Sequence, residues 1–252
     1  MRHKVKDRGF LVKATQYSES SLILKTYTRG HGMISIIAKG IRKKSEASLL
    51  SPLNDYDLTI YEPGEGGLYL LGEFSPAREY DFCRKLECWT AAECALELYG
   101  NLILPQDENL LYYDLLHDLF TYLESLERNA ILIWWRFLLR IFSLLGIPFK
   151  TNLCSQCGGT AECIAAYEKG SARLVCSDCL DTGADPGRYE ILTSQSWQIL
   201  RLMPRIGDYT SSLIPSRQSV TQLNRLFADY YREHFNRRLE LRSLGVLEQF
   251  YR

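Results

Sequence analysis

The sequence predicts an α+β protein of several domains, in which a strand-rich N-terminal region precedes a helical body with an inserted metal-binding finger. Short β-rich runs occupy the first 75 residues, three- and four-residue apolar periodicity begins near residue 79, and two Cys-x-x-Cys pairs interrupt the helical region. We expect domains at 1–78 and 79–252, with the finger at about 150–190. The 252 residues, 46% of them apolar, suffice for more than one core.

Five β-rich runs, separated by Gly, Ser, Asn or Pro, fit a small closed barrel of the oligonucleotide-binding (OB) type. The runs are 9–17, 21–29, 33–39, 56–62 and 68–74.

Alternation within the runs sorts their side chains into two faces. One face holds Phe10, Val12 and Ala14 in the first run, and Leu22 and Leu24 in the second. The opposite face holds Lys13, Thr15, Tyr17, Lys25, Tyr27 and Arg29. Cations mixed with rings suit a single nucleic-acid strand, because bases stack on rings while Lys and Arg follow the phosphates. The two tyrosines equally fit half-buried barrel positions.

Charge is distributed unevenly along the chain, although the net charge is zero. Residues 1–50 contain 11 Lys and Arg against 3 Asp and Glu, whereas the remaining residues contain 19 against 27. This asymmetry favours a polyanion, nucleic acid first, as the partner of the first domain. Its densest part is a run predicted to be a mobile loop that closes on phosphates: Lys39, Arg42, Lys43 and Lys44. A solvated basic hairpin tip is the alternative.

Two Cys-x-x-Cys pairs, 18 residues apart, have the spacing of a four-thiolate zinc site. The predicted ligands of one structural zinc per chain are Cys154, Cys157, Cys176 and Cys179. Redox dithiols and disulfides are the alternatives, and disulfides are disfavoured because the basic N-terminus lacks the apolar stretch of a secretory signal. The expected compartment is the reducing cytoplasm. The other cysteines are interpreted as buried thiols: Cys83, Cys88, Cys94 and Cys163.

Helical periodicity covers 85–104, 109–126, 130–145, 194–201 and 220–251. The most apolar of these stretches contains Arg136 and Arg140, which argue against a membrane span and lie one turn apart on the same face. Buried guanidiniums need anionic partners. The two arginines therefore either pair internally, with carboxylates such as Glu93 or Glu97, or rim an apolar groove for an acidic peptide.

No catalytic motif stands out. A phosphate-binding Gly-x-x-x-x-Gly-Lys-Ser/Thr loop, Gly-x-Gly-x-x-Gly, His-Glu-x-x-His and Gly-x-Ser-x-Gly are all absent from the sequence. A binding protein without catalytic residues is therefore favoured. A zinc-dependent nucleic-acid enzyme such as a nuclease, and a zinc-ribbon scaffold that binds only proteins, remain as alternatives.

Several short motifs follow one another in order over most of the chain. They are Ala38-Lys39-Gly40 with Arg42 and Lys44-Ser45, Leu53, Arg136-Phe137 through Gly146 and Pro148, the two cysteine pairs with Gly158, Tyr230, His234, Leu239, Arg242 and Ser243. No single motif is specific, but their order resembles the bacterial RecO family of DNA recombination and repair proteins.

The resemblance implies an N-terminal OB barrel, a helical body with a zinc finger, DNA binding and strand annealing without nucleotide hydrolysis. It also implies that the chain binds RecR and single-strand-binding protein, whose C-terminal tail contacts the helical body. The implied location is the cytoplasm, in association with the nucleoid. On this basis Arg136 and Arg140 are the candidate peptide-binding residues. The candidate contacts to single- and double-stranded DNA are Lys13, Lys25, Tyr27, Arg29, Lys39, Arg42, Lys43 and Lys44.

Overall fold

The computed structural model describes residues 3–63, 67–82, 85–160, 164–180 and 187–251. The chain separates into two compact units, Met1–Ser125 and Leu126–Arg252. The boundary expected after residue 78 falls inside the first unit, because two helices that follow it pack on the strands. The division into domains at 1–78 and 79–252 stays a prediction. The predicted succession of a strand-rich region and a helical region is confirmed.

Five strands form a closed barrel in the first unit, in the order β1-β2-β3-β5-β4. They are β1 (Lys4–Gln16), β2 (Leu22–Thr28), β3 (Gly32–Ala38), β4 (Asp55–Tyr61) and β5 (Tyr69–Arg78). Neighbouring strands are antiparallel except β3 and β5, which are parallel. The core side chains are Leu11, Leu24, Ile34, Ile36, Ala38, Ile41, Tyr56, Leu58 and Ile60.

A β-bulge in β1 changes which side chains face this core. The register shifts just after Leu11, which points inward, while Phe10 lies opposite Tyr27 on the outer face. Ala14 lies opposite the inward-facing Leu24. The prediction that Phe10 and Ala14 share a face is therefore wrong, because the bulge inserts an extra residue between them and resets the alternation.

Helices cover part of the outer barrel surface. They are α1 (Leu86–Asn101) and α2 (Asn109–Ser125). The ring of Phe10 lies 5.2 Å from those of Tyr113 and Phe120, and Tyr27 meets Tyr99 edge-on at 5.0 Å. The outer face of β1 and β2 is thus apolar at these positions because it is a packing interface.

The second unit contains α3 (Ala130–Leu144), α4 (Ser194–Leu202), α5 (Arg217–Phe235) and α6 (Arg242–Leu247). Trp135 of α3 donates a hydrogen bond to Asn224 of α5 at 2.7 Å inside the core. The helical stretch expected over 220–251 is interrupted: α5 ends at Phe235, and the next residue, Asn236, has a left-handed φ of 51°. Asparagine tolerates this conformation better than most residues, so it stops the helix.

A small antiparallel sheet, ordered β7-β6-β8, lies in the predicted finger region. Its strands are β6 (Ile164–Glu168), β7 (Leu174–Cys176) and β8 (Tyr189–Ile191). A further bridge joins Leu153 and Thr160 around the first Cys-x-x-Cys turn, where Gly158 has a φ of 70°. Glycine adopts this left-handed conformation without steric cost, so the turn can bring its two cysteines together.

Candidate metal cluster and binding surfaces

The four cysteines of the two Cys-x-x-Cys pairs form one cluster of sulfurs. The ligand atoms of Cys154, Cys157, Cys176 and Cys179 all lie within 4.8 Å of one another. The first pair sits on the turn before β6 and the second begins at the end of β7. The predicted grouping of the quartet is confirmed.

The geometry of this sulfur cluster fits a tetrahedral metal. Metal–sulfur bonds of about 2.3 Å in a tetrahedron give sulfur–sulfur edges of about 3.8 Å. The Sγ atoms of Cys157 and Cys176 are 3.7 Å apart. A metal held by all four sulfurs would have a closed coordination shell, so such a site is structural and has no open position for a reacting water.

Backbone amides stabilise negative charge on these sulfurs. The N–H of Cys176 donates to Sγ of Cys154, and the N–H of Gly159 donates to Sγ of Cys157, both at 3.3 Å. Burial of Cys154 raises its pKa, but hydrogen bonds from the backbone of Cys157, Cys176 and Gln156 outweigh burial and lower the pKa to about 6. The thiolate, which is the form that binds a metal, is therefore favoured at this position.

Polar contacts attach the finger to α5 within the second unit. Arg225 of α5 pairs with Glu190 of β8 at 3.0 Å, and Gln222 donates to the same carboxylate at 3.2 Å. Asp229 accepts from the N–H of Gly170 in the turn after β6. The finger is held on the helix through β8 and through the turn between β6 and β7.

The other cysteines agree with the buried-thiol interpretation where the structure describes them. Cys88 and Cys94 lie buried in α1. Burial raises the pKa of Cys88 to about 11, so it stays protonated. Cys83 and Cys163 lie outside the described residues.

The basic run after β3 consists of two short 3-10 turns, Ile41–Lys43 and Ser45–Leu49, rather than an irregular loop. Ile41 is buried in the barrel core and fixes the run to the barrel. The guanidinium of Arg42 donates to the carbonyls of Ser18 and Glu19, at 3.2 and 2.9 Å. All four cations of this basic turn are exposed: Lys39, Arg42, Lys43 and Lys44.

The predicted DNA-contacting residues on and beside β1 and β2 differ in their exposure to solvent. Lys13 and Arg29 are exposed, as phosphate contacts require, and their role in DNA binding stays a prediction. Lys25 is half-buried and donates to the carbonyl of Gly100 at 2.6 Å. Tyr27 is 0% exposed, so its assignment as a base-stacking ring is wrong: helices cover that part of the face.

The two arginines of α3 border a cavity of about 400 Å³. Arg140 is exposed and Arg136 is half-buried. Among the residues that the structure describes, no ion pair involves either guanidinium. The internal pairing with Glu93 or Glu97 stays a prediction. The residues that line this arginine pocket are Arg136, Leu139, Arg140, Ser143, Phe149, Thr151, Met203 and Pro204.

Sequence reasoning missed half of the pocket and a buried polar network in the barrel. Phe149 and Met203 come from segments on either side of the finger, and no periodic pattern connects them with α3. In the barrel, Arg8 and Tyr113 both donate to the carboxylate of Asp55, which is fully buried. Burial raises the pKa of Asp55, and these two donors oppose the shift. This network ties β1, β4 and α2 together.

Within the described ranges, no helix combines the length and the apolar character that crossing a bilayer requires.

Comparison with known proteins identifies the family. Residues 1–80 match the family model "Recombination protein O N terminal", and residues 84–243 match "Recombination protein O C terminal". Proteins named "DNA repair protein RecO" are similar over nearly the full length. That of Halalkalibacterium halodurans is 25% identical over 99% of this chain and 95% of its own, and that of Frankia casuarinae 26% identical over 97% and 98%.

A third RecO protein, from Chlorobaculum parvum, is 30% identical over 60% of this chain and 59% of its own. The chain belongs to the RecO family of DNA repair and recombination proteins.

Proposed function

We propose that this chain is a recombination mediator that binds single- and double-stranded DNA, anneals complementary strands and helps load recombinase onto DNA coated with single-strand-binding protein. The observation that carries the proposal is the barrel, whose five strands in the order β1-β2-β3-β5-β4 fit an OB fold. Exposed cations at Lys13, Arg29 and the basic turn supply the charge that phosphates require. Family membership supports the role in repair.

Annealing follows from charge screening. Two complementary strands repel through their phosphates, and lysines that neutralise these phosphates lower the repulsion while the base edges stay free to pair. The exposed ammonium groups of Lys39, Lys43 and Lys44 can contact phosphates without losing any hydrogen bond that the described residues make. Arg42 is already bound to carbonyls of the β1–β2 turn, so its proposed part is to hold the basic turn in place as well as to add charge.

The proposed cofactor is one structural zinc per chain, held by the sulfur cluster. The matched sulfur spacing and the amide hydrogen bonds to Cys154 and Cys157 support a soft cation of this size. Bound there, zinc would supply folding energy to the finger. Its four thiolates leave no catalytic position, which favours a binding protein over a metal-dependent nuclease.

The arginine pocket is the proposed site for the acidic, aromatic-ended C-terminal tail of single-strand-binding protein. Arg136 and Arg140 present guanidiniums that hold no ion pair in the described part of the chain, and a guanidinium fork suits a terminal carboxylate. Phe149 and Met203 give the pocket an apolar wall for a ring. RecR is the second proposed protein partner, and the place of action is the cytoplasm, at the nucleoid.

The test is annealing of complementary oligonucleotides coated with single-strand-binding protein, with and without the purified chain. The proposal expects faster duplex formation without nucleotide hydrolysis, and DNA binding that weakens as salt rises. Cleavage of the oligonucleotides that depends on a divalent metal would support the nuclease alternative instead. If the chain binds no DNA at any salt concentration, the remaining alternative is a scaffold that binds only proteins.

A further inference from the structure

One row of outward-facing apolar side chains crosses four strands of the barrel. The strand register places Tyr61 of β4 opposite Leu70 of β5, Leu70 beside Ile37 of β3, and Ile37 opposite Ile23 of β2. The residues next to these four in sequence fill the barrel core, so alternation turns the four outward. With strands about 4.8 Å apart, this outer row extends over about 14 Å.

The outer row is partly open to solvent, unlike the covered face around Phe10 and Tyr27. All four of its side chains keep intermediate exposure. The ring of Tyr61 lies against the backbone of Gly72: a Cβ atom on that glycine would be 2.9 Å from Cε2 of the ring. The missing side chain lets an aromatic face lie along the sheet, where a flat ligand can stack on it.

Cations surround the outer row on the same barrel surface. Lys4 of β1 lies opposite Tyr61, at one end of the row. Lys39 follows Ile37 by two residues, and Lys13 lies opposite Lys25, two residues along β2 from Ile23. Lys4, Lys13 and Lys39 are all exposed. Exposed acidic side chains near the row are Glu62, which follows Tyr61 in sequence, and Glu73, which lies opposite Thr59.

We infer that the outer row, Tyr61, Leu70, Ile37 and Ile23, is the surface on which the barrel receives the bases of single-stranded DNA, with Tyr61 as the stacking ring. This inference rests on the proposed DNA-binding function and assigns to Tyr61 the role that the sequence suggested for Tyr27. Apolar side chains bounded by lysines complement a strand whose flat bases point to one side and whose phosphates point to the other. A duplex does not fit this row, because its bases are stacked inside.

The test compares Tyr61→Ala with wild type in titrations of a fluorescent oligothymidine and of a duplex of equal length. Loss of a stacking ring lowers affinity by roughly 5- to 150-fold. The inference expects a loss of this size for the single strand and less than about twofold for the duplex. Tyr61→Phe, which keeps the ring, should restore single-strand affinity. Tyr209→Ala removes a partly exposed tyrosine of the second unit and is the matched control, expected to bind as wild type.

A second variant keeps the inference testable if Tyr61→Ala unfolds, as judged by circular dichroism. Ile37→Thr with Leu70→Thr makes the middle of the row polar with a residue type that suits strands, and should also lower single-strand affinity selectively. Equal losses for single strand and duplex, or wild-type affinity in the folded variants, would overturn the inference and leave DNA binding by the chain intact. Failure of the wild-type protein to bind either DNA at low salt would remove the proposed function as well.

Discussion

The two regions that carry arginine and lysine at candidate binding surfaces are built in opposite ways. In the barrel unit, the cations of the basic turn are exposed on or beside short 3-10 turns, which Ile41, Ala47 and Leu50 pack onto the core. In the second unit, Arg136 and Arg140 project from α3, a helix that is otherwise almost entirely buried, next to a cavity of about 400 Å³. The first arrangement spreads charge over a surface, and the second places it at the edge of a pocket.

This difference indicates two kinds of ligand. Exposed amines bind a repeating anion through counterion release, which depends on salt and ignores sequence. A guanidinium beside an apolar pocket instead selects one end group by shape and hydrogen bonding. If the comparison holds, variants in one region should leave the function of the other nearly unchanged.

The largest expected effect concerns the finger. Cys154→Ser or Cys176→Ser should abolish binding of about one zinc per chain and unfold the finger, because the free energy of metal binding is also folding free energy. DNA affinity should largely survive, since the barrel does not depend on the finger for its core. Elemental analysis and oligonucleotide titration check this result; a metal-free wild-type protein, prepared without chelator, would contradict it.

The next effect tests whether Tyr27 is structural. Tyr27→Ala should lower the free energy of unfolding by about 3–5 kcal/mol, because the ring is fully buried against Tyr99. Tyr27→Phe should cost only about 0.5–1.5 kcal/mol, through loss of the hydrogen bond from its hydroxyl to the carbonyl of Asn109. Chemical denaturation measures both. A folded Tyr27→Ala protein of wild-type stability with weakened single-strand affinity would instead make Tyr27 a stacking ring.

The basic turn should control salt dependence. Replacing Lys39, Lys43 and Lys44 with Ala should flatten the slope of log affinity against log salt by up to about 2 for single strands and about 3 for duplex. Binding to unrelated sequences should weaken equally. Adding Arg42→Ala should contribute less than one further phosphate contact, because Arg42 already bonds Ser18 and Glu19. An unchanged slope in the triple variant would move the interface away from this turn.

The smallest expected effect concerns the arginine pocket, and it best separates the pocket from the basic turn. Arg140→Ala should weaken a fluorescent tail peptide of single-strand-binding protein by about 1–3 kcal/mol while naked-DNA affinity stays within about twofold. Arg217→Ala, at an exposed arginine on α5, is the matched control. Wild-type peptide affinity in folded Arg136→Ala and Arg140→Ala proteins would assign both arginines to internal structure.

The sequence was sufficient wherever a local pattern carries the structure. Cysteine spacing predicted the sulfur cluster, because two tight turns bring four sulfurs together whatever surrounds them. Apolar periodicity placed α2 and α3 within one residue of their ends. The alternating strand runs predicted five barrel strands, although β1 begins at Lys4, where a run of charged residues hides the pattern.

Tertiary packing decided what the sequence could not. The bulge after Leu11 reset the alternation of β1, and helices distant in sequence covered Tyr27, so a ring that looked exposed became core. The outer row could not be predicted for a related reason. Ile23, Ile37 and Tyr61 each stand next to an apolar residue that faces the core, so the sequence does not show which of the two points outward. Only the strand register shows that these side chains lie side by side. The pocket wall at Phe149 and Met203 likewise depends on chain segments separated by the whole finger.

The most direct test of two independent surfaces is annealing of complementary strands, bare and coated with single-strand-binding protein, by the triple lysine variant and by Arg140→Ala. The account predicts that the lysine variant slows annealing of both substrates, because phosphate screening is lost in either case. It predicts that Arg140→Ala anneals bare strands at the wild-type rate and loses only the coated ones. The claim that the basic turn binds DNA and the arginine pocket binds single-strand-binding protein would be contradicted by either of two results. One is that Arg140→Ala anneals coated strands at the wild-type rate, and the other is that the lysine variant anneals bare strands at the wild-type rate.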